Sequence, residues 1–354
     1  MFNRFDFDKN KCQLTGSYAE DGYDRYWHTF TGYEEGTGKE KVFFVEYLII
    51  NPTMGWDEVK RGRGVVPSYT LVRCGAFAES IMERYIPMSE VESYTVDRQM
   101  RIVAGDCFLS EHSMSGRTED GAMSWNLRIR KKVAYNAGVI NGSLARKVKA
   151  LDTFWHAQGM ITKYCGVVNY KGSRYDVAFD TSYGYADKTW GDEYPEFCLW
   201  LNGSRLRSRL SGKELSKSGF AFAGLKPVLF GKGIRDTIVG ALYYEGVEFD
   251  YNFARPSLIS KTEYVIDDSD SALKATIVMQ NCTSVLALCL KCDKNDMITP
   301  AYETTFGENA YDKLYATAVA KGRLKLYTKF KGALVLVEDM DVYNAGLGYG
   351  GTNI

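Results

Sequence analysis

The sequence predicts an all-β protein of antiparallel strands, and three observations carry that expectation. Aromatic residues make up 14% of the 354 positions, with 25 Tyr and 18 Phe against only 7 Pro, and rings with β-branched residues favour pleated, half-buried surfaces. Apolar and polar residues alternate with period two from end to end. Short polar turns fall at the spacing of hairpins.

Each element follows from those signals. In "AMSWNLRIR" Met123, Trp125, Leu127 and Ile129 share one face, while Ser124, Asn126, Arg128 and Arg130 share the other, which describes a strand with one dry side. "RLKLYTKF" repeats the pattern, with Leu324, Leu326 and Phe330 opposite Lys325, Tyr327 and Lys329. Hairpin turns are expected at Lys171-Gly172, at Glu245-Gly246 and around Asp267 to Ser271. Two stretches, "GAFAESIMERYI" and "ENAYDKLYATAVAKG", can be wheeled with an apolar stripe, Tyr311, Leu314, Tyr315 and Ala318 in the second, and each reads as one short helix. A dozen or more hairpin-connected strands suggest a barrel or sandwich. The pattern breaks in "YNAGVINGSLARKVKALD", residues 135 to 152, which places a domain boundary there: 1–149 and 150–354.

Composition narrows the function classes. Lys plus Arg total 44 and Asp plus Glu total 44, so no long-range field gathers nucleic acid or an anionic membrane. Apolar runs such as "VFFVEYLII" fall short of the roughly 20 residues of a membrane helix. "MFNRFDFDKNKCQL" does not read as a secretory signal, so a cytoplasmic location is expected, with the eight cysteines reduced. The Asn-x-Ser/Thr triplets at Asn141, Asn202 and Asn281 are then chance matches.

Most motif chemistry fails on inspection. "GLGYGG" places Gly346, Gly348 and Gly351 in a dinucleotide fingerprint, but no helix follows, so it reads as a glycine-rich tail. "GTGKEK" puts Tyr33 and Glu40 where a phosphate loop needs Gly and Ser/Thr. Cys289 and Cys292 form a lone C-x-x-C whose side chains alternate to opposite faces, and the three histidines lack ligand spacing. No metal and no cofactor is expected. No G-x-S-x-G marks a nucleophile elbow.

Two aromatic stretches survive: "DTFWHAQGM" with Trp155, His156 and Gln158, and "TSYGYADKTWG" with Tyr183, Tyr185, Asp187, Lys188 and Trp190. If extended, His156 and Gln158 share a face, as do Tyr183, Tyr185 and Asp187, while Lys188 points away from Asp187. A carboxyl surrounded by rings resists ionising and can act as an acid. Aromatic strands are also ordinary core, and an Asp before a Lys also closes turns.

The stretch "FWHAQGMITKYCGVVNYKGSRYDV" followed by "YADKTWG" and "CLWL" resembles the central signature of the tocopherol cyclase family. "YDRYWHTFTGYEEGTGKEKVFFVEYLIINP" is similar to its opening strand pair and "KGRLKLYTKF" to its closing strand. This chain carries Asp and Thr where the plant cyclases carry Glu and Asn. The resemblance implies two tandem lipocalin-like barrels, 1–149 and 150–354, the second carrying the Asp-Lys-Thr-Trp-Gly motif. It is a fold shared with bacterial carotenoid hydratases. It also implies cofactor-free chemistry on a hydrophobic prenyl, polyene or prenylated-phenol compound, by cyclisation, hydration or isomerisation. Asp187 is then the acid and His156 its orienting or relaying partner, while Trp155, Gln158, Tyr183, Tyr185, Lys188 and Trp190 hold substrate. A lipocalin-like binding protein for an apolar ligand, and a barrel pair filled by side chains, are the alternatives. A pocket of about 300 Å³ or more reaching Asp187 favours the first two readings, and solid packing the third.

Overall fold

A computed structural model describes residues 7–53, 66–137, 153–225, 228–229, 232–233, 237–252 and 260–352. The first sheet contains β1 Tyr23–Glu34, β2 Glu40–Ile50, β3 Tyr69–Ala76, β4 Ser80–Pro87, β5 Val91–Val96, β6 Gln99–Ala104, β7 Cys107–Ser110, β8 Ser113–Arg117, β9 Met123–Asn136, β10 Thr153–Tyr170, β11 Ser173–Val177 and β12 Gly184–Gly191. The second contains β13 Phe197–Gly203, β14 Arg205–Ser208, β15 Gly219–Leu225, β18 Thr237–Tyr244, β19 Val247–Tyr251, β20 Lys261–Asp268, β21 Ala272–Gln280, β22 Ser284–Asp293, β23 Lys313–Phe330 and β24 Ala333–Gly351, with β16 Val228–Leu229 and β17 Lys232–Gly233 as a separate ladder. Among the described residues, helix is confined to Phe7–Asn10 and to single 3-10 turns at Gly16–Ala19, Met88–Glu90 and Lys294–Asp296.

The architecture is the expected pair of tandem antiparallel barrels. The first sheet runs β4-β3-β2-β1-β11-β10-β9-β8-β7-β6-β5, and β12 bridges β1 and β10 beside β11. Its interior is packed with Tyr26, Phe30, Phe43, Val45, Ile102 and Leu127. The outermost strands β4 and β5 follow one another in sequence, and Arg84 of β4 closes toward the far side through Asp106 and the Arg117 carbonyl, 3.3 Å away. The second sheet runs β19-β18-β15-β13-β24-β23-β22-β21-β20 around Leu201, Phe222, Leu242, Ile277, Leu288 and Leu326. Tyr251 and Ser284 meet across its interior at 3.0 Å. Among the described residues no helix is long and apolar enough to cross a membrane.

Turn chemistry behaves as the residues dictate. Lys171 and Gly172 have φ of 49° and 82°, and Glu245 and Gly246 have φ of 45° and 98°, the left-handed pair that matches strand twist in a two-residue hairpin. Burial follows the alternation at Met123, Trp125, Leu127 and Ile129, and at Leu324 and Leu326. Phe330 departs from it and is 62% exposed, because it stands at the tip of the β23–β24 hairpin.

Three expectations change. Both candidate helices are mainly strand: the first turns at Ala78, φ 68°, into β4, and the second enters β23. In the second, Ala316 and Ala318 are buried in the layer between the barrels, and a bulge after Thr317 sends Ala320 into the second barrel's core. The "GLGYGG" tail is the last part of β24, paired to β13 and β23. Finally, the hydrogen-bonded sheets do not divide at 149/150, and residues 138–152 lie outside the described residues. β10, β11 and β12 pair with β9 and β1, so the Asp-Lys-Thr-Trp-Gly motif belongs to the first sheet. The change of sheet falls between β12 and β13, because β12 fills the gap between β1 and β10 on both edges.

The two barrels meet through a third apolar layer. Trp27, Phe44, Trp155 and Tyr185 from the first sheet pack against Ala221, Ala241, Ala316 and Ala318 from the second. Large rings on one side need small residues on the other for two curved sheets to approach.

Candidate active site

Strand β12 is the centre of the site because both of its edges are paired. Trp27 of β1 lies opposite Asp187, Arg25 opposite Thr189, Trp155 of β10 opposite Thr189, and His156 opposite Lys188. Side chains of cross-strand partners share a face. Arg25, Trp27, Trp155, Tyr185 and Asp187 therefore face the second barrel, whereas Asp24, Tyr26, His156, Lys188 and Trp190 face the interior of the first.

On the outward face Asp187 is fully buried. Its Oδ2 accepts three hydrogen bonds, from Trp155 Nε1 at 3.1 Å, Tyr185 Oη at 3.1 Å and Trp200 Nε1 at 3.0 Å. Oδ1 has no hydrogen-bond partner and lies 3.9 Å from Arg25 Nη1. Burial pushes the carboxyl above the ordinary carboxylate range, against the opposing pull of Arg25 and the three donors. Trp200 comes from β13 in the second sheet, and Gly348 of β24 stands opposite it. A Cβ at Gly348 would come within 2.9 Å of the Trp200 ring, so glycine there lets the indole reach Asp187.

Arg25 and Trp200 also wall a cavity of about 90 Å³, with Tyr23, Tyr194, Tyr302 and Tyr311 among its other walls. The Tyr23 and Tyr194 rings stack at 4.0 Å, and Trp27 meets Trp200 edge-on at 5.7 Å. This is smaller than the expected pocket of about 300 Å³, and Asp187 is not among its walls, which approach it through Arg25 and Trp200.

The other face is a different environment. Lys188 pairs with Asp24 at 2.9 Å and lies over the Trp190 ring, which stacks on Phe154 at 5.5 Å. Lys131 Nζ donates to Glu111 Oε2 at 2.9 Å and to Gln158 Oε1 at 3.2 Å. His156 is buried, neither ring nitrogen finds a hydrogen-bond partner, and its pKa is lowered to about 3 by burial and by Lys9, Lys131 and Lys188.

Of the residues singled out in the sequence, Asp187, Trp155 and Tyr185 come together. His156, Gln158, Lys188 and Trp190 stand on the opposite side of the sheet from Asp187, outside the cavity walled by Arg25 and Trp200. Tyr183 lies toward the surface, its hydroxyl donating to Glu214 at 2.9 Å beneath Lys163 and Arg205. Arg25, Trp27, Trp200 and Tyr302 complete the site and were missed. "YDRYW" and "CLWL" place Arg25, Trp27 and Trp200 on strands, but only the folded sheets show which faces meet.

No family model matches the chain, and no curated protein matches it in sequence. Among solved structures, CghA superposes with a TM-score of 0.52 at 9% identity, covering 94% of this chain and 88% of its own. Kievitone hydratase from Nectria haematococca gives 0.48 at 11% identity over 97% and 94%. A protein from Nitrosomonas europaea described as AttH gives 0.45 at 9% identity over 97% of each chain. The likeness to CghA is one of fold.

Proposed function

We propose that this protein is a cofactor-independent acid catalyst, a cyclase, hydratase or isomerase acting on a hydrophobic prenyl, polyene or prenylated-phenol compound, with Asp187 as the acid. The observation that supports this most is the asymmetry of one buried carboxyl. Its Oδ2 is saturated by three neutral donors, while Oδ1 is bare on the side of Arg25, which walls a ring-lined cavity.

The chemistry follows from that asymmetry. A proton on Oδ1 passes to an alkene carbon, forming a C–H bond as the π bond breaks and leaving a carbocation and a carboxylate. The Trp155, Tyr185 and Trp200 donors are already aimed at the oxygen on which negative charge develops, so they stabilise the transition state without reorganising. Ring faces that wall the cavity, such as Trp200 and Tyr311, each stabilise a nearby cation by roughly 0.5 to 2 kcal/mol. A phenol or water oxygen then captures the cation, or a neighbouring C–H bond yields its proton, and the proton released returns to Asp187.

Mass spectrometry of small molecules extracted from the purified protein identifies the substrate class to assay. Asp187→Asn retains shape but not the transferable proton, so turnover should fall by about 10² or more with ligand affinity little changed. Undiminished turnover removes Asp187 as the acid. The small cavity with its aromatic walls also suits a binding protein that holds one apolar group without reaction; in that case wild type and Asp187→Asn bind alike and neither converts the extracted compound.

A further inference from the structure

Arg25 is a largely buried cation, its side chain 18% exposed, at the edge of a site whose proposed intermediate is also a cation, and whose proposed acid must hold a proton. Both demands conflict with an unscreened guanidinium. An Arg beside an Asp usually lowers its pKa by about 1 to 3, and a positive charge repels a carbocation.

The structure disposes of that charge through Glu46 of β2. Glu46 Oε1 is bonded by Arg25 Nε and by the Tyr302 hydroxyl at 2.6 Å, while Oε2 is bonded by Arg73 Nη1 at 2.7 Å. Arg73 is itself held by Glu83 at 2.7 Å and by the Ala301 carbonyl at 2.5 Å. Tyr302 also accepts from Arg25 Nε at 3.1 Å. Arg25 is thus pinned on its Nε side, and Nη1 stops 3.9 Å short of Asp187 Oδ1 without a hydrogen bond.

We infer that Glu46 is a positioning residue that holds the Arg25 guanidinium back from Asp187, leaving Oδ1 free to carry the proton. This rests on Asp187 being the acid. The groups that face Asp187 from the packed elements are Arg25 from β1, Tyr185 from β12 and Cys198 from β13, while Tyr164 of β10 lies on the inner face and donates to the Tyr185 carbonyl at 3.0 Å. Burial raises both tyrosines well above their ordinary values and Cys198 to about 11, so none of them titrates alongside a carboxyl.

Trp155 and Trp200 donate directly to Asp187 and report its ionisation by fluorescence, without substrate. Wild type should show a fluorescence transition that Asp187→Asn lacks. In Glu46→Gln the released Arg25 turns to Asp187, and the midpoint should fall by about one pH unit or more. Arg25→Gln/Glu46→Gln removes the pair together and keeps the protein free of an unpaired cation at Arg25, so it also serves if the single variant misfolds. If Glu46 already neutralises Arg25, the double variant should move the midpoint by less than about half a unit. An unchanged midpoint in folded Glu46→Gln, or a double variant whose midpoint rises as far as in Arg25→Gln alone, overturns the inference. Failure of Asp187 as the acid appears separately, as turnover that survives Asp187→Asn.

Discussion

Asp187 and Asp24 stand on adjacent strands, both fully buried, and meet opposite company. Asp24 Oδ2 accepts from Lys188 at 2.9 Å and from the Gln13 amide at 2.7 Å, a direct ion pair sealed inside the first barrel. Asp187 has only neutral donors in contact, all on one oxygen, with its nearest cation committed to Glu46. Burial raises both carboxyls, and Lys188 opposes this at Asp24 far more directly than Arg25 does at Asp187. A paired carboxylate closes its site; one with a saturated oxygen and a bare oxygen keeps a position from which a proton can leave.

The sharpest way to break this contrast is to remove charge from each face. Lys188→Met leaves Asp24 buried without its cation, which typically costs about 3 to 5 kcal/mol. Asp187→Asn leaves no uncompensated charge and should change stability by about 1 kcal/mol or less. Denaturant unfolding of the two variants under one buffer measures both, and equal losses would mean that the two faces are electrostatically alike.

Acid and base should separate the faces next. His156 titrates near 3 when folded against about 6.5 when unfolded, so its contribution is fully present above about 6.5. It is lost as pH falls toward 3, by roughly 5 kcal/mol at most. His156→Gln should flatten that acid slope. Asp187 has the opposite sign: its folded pKa is raised, so the native state binds the proton more tightly. Stability then declines as pH rises from the ordinary carboxyl range through the folded value. Asp187→Asn should therefore gain on wild type with rising pH until that titration is complete. Unfolding free energies across pH for both variants would show a common sign if the distinction is wrong.

Much of this organisation was legible in the sequence, for identifiable reasons. Period-two alternation encodes burial directly, so the strands over 123–129 and 324–326 and the Lys171-Gly172 turn could be read residue by residue. The motif around Asp187 marks β12, and alternation turns Lys188 away from Asp187 on that strand. The same rule places Trp190 with Lys188, two positions apart, and Trp190 joins Asp187's site only through the family resemblance, which carries no information about which face a ring occupies. Trp200 and Arg25 were not legible as partners of Asp187: their contacts depend on how two curved sheets dock, and sequence spacing carries no record of that. The stripe Tyr311, Leu314, Tyr315 and Ala318 fits a helical wheel by spacing alone, but Lys313 onward belongs to β23, where Ala316 and Ala318 give the opposing rings room.

The two tryptophans give the finest test, with the smallest expected effect. Trp200 and Trp190 are both aromatic, both near Asp187 in sequence, and on opposite faces. Trp200→Phe keeps a ring against Trp27 and Tyr185 but deletes one of the three donors to Asp187 Oδ2. A hydrogen bond to a charged group contributes about 1.5 to 3 kcal/mol, and here the charge develops only as the proton leaves. The loss should therefore fall on turnover, by about tenfold or somewhat more, with affinity nearly unchanged. Trp190→Phe trims a ring stacked on Phe154 inside the first barrel, so stability should drop by about 1 kcal/mol while turnover and affinity hold. Turnover, affinity and unfolding free energy measured on both variants decide the assignment: if Trp190→Phe slows the reaction as much as Trp200→Phe, the reacting group lies on the inner face and the outward-facing site is wrong.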